Sequence, residues 1–196
     1  TASRLHFLPP DLPKVSVEVA ATGPRVLAVA ARHADRVLLA LGADPDRVRW
    51  GIETVRAAGG TSIGSFVNVV AHPDVDVARE LASGGVATFA RFSVMHGSVN
   101  GPVEPDERDI FDAVHDAYDM TRHTQVGSPQ AGKLTPEFIE RFGVVGTPET
   151  CAQRLGELVD LGLDKLIVTG PTLGADPNEA RAALERFATE VLPAIR

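Results

Sequence analysis

Residues 17–35, VEVAATGPRVLAVAARHAD, change their hydrophobic period once. Val15, Val17, Val19 and Ala21 recur at every second residue, whereas Val26, Leu27, Ala30, Ala31 and Ala34 recur at helical spacing. Thr22-Gly23-Pro24 stands at the handover. A strand that turns within three residues into a helix is the building unit of parallel α/β proteins, so this segment restricts the chain to that class.

The same order repeats. RVLLALG, residues 36–42, is apolar on both faces, as a strand covered on both sides must be. ADPDRVRWGIETVRAAGG follows, with Asp44 as cap, Pro45 at the first helical position and Gly59-Gly60 as stop. TSIGSFVNVVAHPD supplies a third strand, and VDVARELASGGVATFARFSVM a helical pattern that Gly84-Gly85 interrupts. Residues 97–147 break the alternation. They read as a loop, an amphipathic helix carrying Ile110, Phe111, Val114, Ala117 and Tyr118, and a second loop, TQVGSPQAGKLTPEF. A helix capped by Thr147 with Pro148 at its first position then leads to the strand KLIVTGP, and a last helix opens with Asp176-Pro177.

Four strands alternating with helices imply right-handed crossovers and a parallel sheet. A doubly wound sheet is compatible with that order. So is half of a (β/α)₈ TIM barrel, which runs to roughly 250 residues and eight strands. The expected organisation is one domain over residues 1–196 with an insertion at 97–147. The start, LHFLPPDLPK, reads as a proline-rich connector, which suggests that something precedes it.

Composition narrows the partners. With 19 basic against 26 acidic residues the net charge is -7, so no general attraction to nucleic acid or anionic membranes is expected. No apolar run approaches the roughly 18–20 residues of a membrane span, and a cytoplasmic location is expected. The single Cys151 sits in a helical pattern and reads as a structural thiol.

In a parallel α/β protein the ligand lies beyond the carboxyl ends of the strands, where helix starts offer unpaired N–H groups and about half a positive charge. Thr22-Gly23-Pro24 occupies such a place. Gly23 allows close backbone approach, Thr22 offers a hydroxyl, and Pro24 starts the helix without losing a donor; the competing reading is that Thr22 only caps the helix. Leu41-Gly42-Ala43 puts a second glycine on the adjoining rim, and paired rims of this kind make barrel phosphate sites. His72, following the third strand, is placed to cap or to face the rim. His96 and His123 flank the insertion, and Arg91 and Lys133 are candidate cations. His33, His115 and Tyr118 read as packing or surface residues. The spacing contains neither a Ser-His-Asp arrangement nor a metal-ligand cluster, and no catalytic residue is assigned.

VEVAATGPRVLAVAARHADRVLLALGADPDRVRWGIETVRAAG, followed by FSVMHG, AYDMTRH and FGVVGTPETCAQRLGELVDLGLDKLIVTGP, resembles the C-terminal half of luciferase-like oxidoreductases, closest to the branch that uses the deazaflavin coenzyme F420 and includes methylenetetrahydromethanopterin-reductase-like proteins. The resemblance implies a (β/α)₈ barrel of which about four βα units are present. It makes the strand at 15–21 similar to the fifth barrel strand and that at 36–41 to the sixth. It further implies that Ala21, Thr22, Gly23, Leu41 and Gly42 contact the phosphate of coenzyme F420, or of FMN as alternative. The implied chemistry is hydride transfer to or from a small organic substrate, or oxygenation if the cofactor is FMN. Much of the ring- and substrate-binding surface belongs to four strands with no counterpart here, and a homo-oligomer is expected. Two other functions fit the residues: a non-catalytic half-barrel that pairs through its open edges, and a sugar-phosphate-binding barrel enzyme.

Overall fold

A computed structural model describes residues 7, 9 and 11–195. The proline-rich connector expected over residues 5–14 lies partly outside the described residues. Parallel strands β1 (Glu18–Ala21), β2 (Arg36–Leu39), β3 (Ile63–Ala71) and β5 (Lys165–Thr169) pair in that order. A fifth strand, β4 (Val144–Gly146), joins the C-terminal end of β3 in register Val69↔Val144. The expected count of four is therefore exceeded by one three-residue strand, too short for any alternation to reveal. The first strand also starts later than its pattern suggests: Val15 and Val17 are 77% and 49% exposed.

Helices α1 (Pro24–His33), α2 (Pro45–Ala57) and α6 (Pro148–Asp160) cover one face of the sheet. Strand side chains alternate between faces, and Val37, Leu39, Ile63, Val67 and Val69 join Leu27, Val48, Ile52, Leu155 and Leu158 in one core. The other face carries Ala20, Leu38, Gly64 and Lys165 in cross-strand register. Its upper part is covered by α3 (Val75–Ser93), which with α4 (Arg108–Asp116) and α5 (Pro136–Phe142) builds a second core on Val70. Phe138 and Phe142 stack there and Phe111 meets both edge to face, with centroids 5.1–5.7 Å apart.

Two local expectations change. Helix α3 runs unbroken through Gly84-Gly85, because those glycines are points of close contact rather than breaks. A Cβ on Gly84 would lie 2.7 Å from the Gln125 backbone, and one on Gly85 would collide with Asn68 Oδ1. Residues 136–138, the end of the segment read as loop, open α5, which runs on to Phe142 and is capped by the Thr135 hydroxyl, which accepts from the Phe138 amide at 3.2 Å. The Thr-Pro start repeated from Thr147-Pro148, with Phe138, Ile139 and Phe142 at helical spacing, was the available signal. The caps expected at Asp44, Thr147 and Asp176 are present, each accepting from amides two or three residues on. The chain closes with α7 (Pro177–Arg186), a π turn over Phe187–Val191 and a last short helix, α8 (Leu192–Ala194).

No helix among the described residues is long and apolar enough to cross a membrane. Strands β1 and β5 each leave one edge unpaired by described residues, and all five β5 residues are only half-buried.

Candidate functional site

Among the described residues five helices follow strands directly, and four of them, α2, α3, α6 and α7, begin under an Asp or Thr side chain that accepts their first amides. Helix α1 begins at Gly23 with no such bond. Its first free amides, on Arg25 and Val26, are therefore unclaimed by a capping side chain, and the positive end of its dipole faces outward. Thr22 does not act as a cap: its hydroxyl donates to the Phe92 carbonyl at 3.3 Å, tying the end of β1 to the end of α3.

A depression of ≈ 190 Å³ opens at this helix start, lined by Thr22, Gly23, Pro24, Arg25 and Val26 on one side and Phe92, Met95, His96 and Asn100 on the other. An apolar hollow of ≈ 250 Å³, bounded by Ala20, Ala21, Thr22, Ala40, Phe92 and Met95, adjoins it. One end of this cleft offers amides and the exposed side chains of Arg25 and His96. The other offers alanines, a phenylalanine ring and a thioether. Such an arrangement accommodates an anionic group joined to a flat apolar one.

The second glycine rim is placed differently. Leu41 is 0% exposed, its carbonyl accepting from Arg47 Nε at 3.1 Å. Gly42 is held at φ +82°, and a Cβ there would lie 2.7 Å from the Phe142 ring. Neither lines the depression or the adjoining hollow; Ala40, just before them, lines the hollow. Of the five expected contact residues, Ala21, Thr22 and Gly23 come together at the cleft, while Leu41 and Gly42 form its backing beneath α5.

Arg47 holds that backing to the opposite wall, a role without local sequence signal. Fully buried, it donates from Nη1 to the Pro102 carbonyl at 2.6 Å and from Nη2 to the Asn100 carbonyl at 2.8 Å and Ser93 Oγ at 3.0 Å. Its guanidinium lies 5.2 Å from the Phe111 ring centroid. Burial lowers its pKa to about 10, so it stays charged at neutral pH. Asn100 thereby reaches the rim, where its Nδ2 donates to the Ser93 carbonyl at 3.3 Å. Beside Arg47, buried Asp44 pairs with Arg141, which also faces Glu107 and Glu104.

The other candidates disperse. His72 is buried: Nδ1 accepts from the Asp74 amide at 3.0 Å, which leaves Nε2–H to donate to Glu179 Oε2 at 3.0 Å. It ties the β3 turn to α7. His33 and Lys133 are exposed. His123 and Tyr118 pair within the insertion, and Arg91 of α3 lies over the Tyr118 ring. Cys151 is buried, its Sγ 3.5 Å from the Val70 carbonyl, and burial pushes the thiol up to about 11. At pH 8 it is therefore almost wholly protonated. Native chain is expected to react with a disulfide reagent at least about a hundredfold more slowly than unfolded chain, and equal rates would contradict this placement. No group of three His, Cys, Asp or Glu able to hold a metal occurs among the described residues.

A parallel βα sheet with an uncapped helix start above its strand ends defines an α/β protein with a cleft at the strand ends. A family model described as luciferase-like monooxygenase matches residues 1–165, and the chain belongs to that family. The chain is 26% identical over 199 residues to 5,10-methylenetetrahydromethanopterin reductase of Archaeoglobus fulgidus, covering 99% of this chain and 58% of that one. The enzyme of the same name from Methanolobus tindarius is 26% identical over 185 residues, with 92% and 54% covered. The solved coenzyme F420-dependent tetrahydromethanopterin reductase from Methanopyrus kandleri shares the fold with a TM-score of 0.61 at 20% identity, over 93% of this chain and 51% of that one. An F420-dependent secondary alcohol dehydrogenase, solved with an F420-acetone adduct, gives 0.60 at 16% identity over 97% and 51%. The chain thus spans a little over half the length of these relatives.

Proposed function

We propose that this chain is the part of a coenzyme F420-dependent oxidoreductase that grips the cofactor phosphate at the start of α1. The observation that supports the reading is the one uncapped strand-following helix, opening into a cleft with Arg25 and His96 at its rim. The residues present fit the group. The Arg25 and Val26 amides are free to donate, Gly23 adds no side chain between backbone and ligand, and the Arg25 charge favours an anion. Ala20, Ala21, Ala40, Phe92 and Met95 give the adjoining hollow an apolar lining. Leu41 and Gly42 are assigned to the support behind it.

Bound there, the deazaflavin supplies a two-electron hydride carrier. The protein's task is to fix the phosphate, orient what is attached to it and keep the apolar end dry. The choice of F420 over FMN draws on the names of the relatives, since both cofactors carry a phosphate. A small organic substrate is proposed on the same ground.

Fluorescence titration of the 196-residue chain with F420, and separately with FMN, tests the reading. Saturable F420 binding is expected, with Thr22→Glu at least about tenfold weaker because its carboxylate meets the phosphate. Absence of F420 binding at high micromolar concentration sinks the proposal, and tighter FMN binding replaces the cofactor. The alternative, a non-catalytic half-barrel that self-associates, draws on the open edges of β1 and β5. It would give concentration-dependent dimers with no affinity for either cofactor.

A further inference from the structure

Asn100-Gly101 borders the cleft, and the proposed cofactor site does not explain it. Gly101 is held at φ +81°, and a Cβ there would lie 2.8 Å from the Trp50 ring, so the fold demands glycine at this position. Asparagine before it is a separate choice. The chain has three asparagines, Asn68, Asn100 and Asn178, and Asn100 is the one followed by glycine.

The surroundings of the Asn100–Gly101 peptide group suit a ring closure between the two residues. Asn100 is half-buried and lines the depression at the start of α1, so water reaches it. The Gly101 amide makes no hydrogen bond among the described residues, and glycine puts no side chain between its nitrogen and the Asn100 side chain. Arg47 Nη2 donates to the Asn100 carbonyl at 2.8 Å. That carbonyl belongs to the same peptide group as the Gly101 nitrogen, so a charged donor sits where negative charge develops when the nitrogen loses its proton. At the other end Asn100 Nδ2 donates to the Ser93 carbonyl at 3.3 Å, which fixes the orientation of the side-chain amide, because only its NH₂ group can donate.

We propose that Asn100 is a self-modification site, at which the chain converts its own asparagine into a carboxylate beside the start of α1. The Gly101 nitrogen, its proton lost to a base in solvent, attacks Asn100 Cγ. The new N–C bond closes a five-membered imide, and the side-chain nitrogen leaves as ammonia, taking a proton from water. One water then opens the imide at either carbonyl, giving aspartate or its β-linked isomer. Asparagine and water are consumed, carboxylate and ammonium are formed, and nothing is oxidised or reduced. The Asn100 amide nitrogen and oxygen lie 3.8 Å from where a Cβ of Gly23 would stand, so the new charge arises next to the helix start that has no cap. It supplies there an anion for the positive end of α1. That it competes with a cofactor phosphate rests on the function proposed above; the modification itself does not.

Incubation of the native 196-residue chain at mildly alkaline pH, followed by peptide mass mapping, tests the proposal, with a synthetic peptide of residues 96–105 giving the rate of the same sequence without the fold. Native chain is expected to convert Asn100 no more than about tenfold more slowly than the peptide, since no loop opening has to come first. A larger slowing overturns the proposal, as does conversion of exposed Asn178 at the rate of Asn100. Asn100→Gln, which would have to close a six-membered ring, should abolish the mass gain at this position, and a gain kept at the parent's rate is equally fatal. Should that variant fail to fold, native chain against peptide decides alone. Asn100→Asp, the product made directly, is expected to bind F420 at least about tenfold more weakly than fresh parent. Equal binding by the two overturns the link to the cleft. Conversion of Asn100 in a chain that does not bind F420 removes the oxidoreductase reading and keeps the modification; F420 binding with Asn100 unconverted does the reverse.

Discussion

Alanine at Gly84 is expected to destabilise the chain by about 2–3 kcal/mol, although alanine is the better helix former by about 1 kcal/mol. The reason is where the methyl group would go. It would collide with the Thr172 methyl and lie 2.7 Å from the Gln125 carbonyl carbon and oxygen, and backbone cannot swing aside as the end of a side chain can. Thr172 is itself fixed, its amide and hydroxyl both donating to the Leu81 carbonyl at 2.8 and 2.5 Å. Relief therefore requires α3 to lift from the sheet, with loss of packing in the second core. Gly156, in the middle of α6, is the control: nothing lies within 4 Å of its Cβ position, so Gly156→Ala should stabilise by up to about 1 kcal/mol. Opposite signs in denaturant unfolding are the expected result. Equal effects at the two positions would mean that α3 does not lie against this loop.

Replacing Arg47 by methionine is expected to lose about 3 kcal/mol or more. The volume is nearly kept, but the carbonyls of Leu41, Asn100 and Pro102 and the Ser93 hydroxyl are left without their donor. Each buried group so orphaned costs about 1–3 kcal/mol, partly offset by water entering at residues 100–102 and by the removal of a buried charge. Arg49→Met, two residues away, removes only an exposed pair with Asp46 and should change stability by less than about 1 kcal/mol. Because Arg47 spans the floor and far wall of the cleft, its loss should also raise protease sensitivity around Ser98–Pro102. A stability loss below about 1 kcal/mol in Arg47→Met would show that the wall is held by something else.

These two positions mark where the sequence stopped being readable. Local periodicity and punctuation carried the βα order, the Asp44, Thr147 and Asp176 caps and the two-sided burial of β2, because each is decided by residues within a few positions of one another. Gly84-Gly85 looked like a break because the partners that demand glycine, Asn68, Gln125 and Thr172, are 16 to 88 residues away in sequence. Arg47 carried no local signal for the same reason, its acceptors Asn100 and Pro102 lying over 50 residues downstream. Thr22-Gly23-Pro24 was legible as a place, since strand end, glycine and proline coincide there. That the helix would be left uncapped was not, because the Thr22 hydroxyl could have turned back to its own helix instead of to Phe92. Leu41-Gly42 was legible as a turn at φ +82°, but its covering by Phe142 depended on a helix, α5, that the glycine- and proline-rich wording of residues 124–138 concealed.

The central claim is that the start of α1 holds a cofactor phosphate, and amide chemical shifts read it most directly. On adding F420 to the ¹⁵N-labelled chain, the signals of Gly23, Arg25 and Val26 should move saturably and further than those of any other helix start. Thr22→Glu should abolish the movement at the same concentrations. Shifts concentrated at the start of α2, or none at any amide of residues 22–26, would contradict the account.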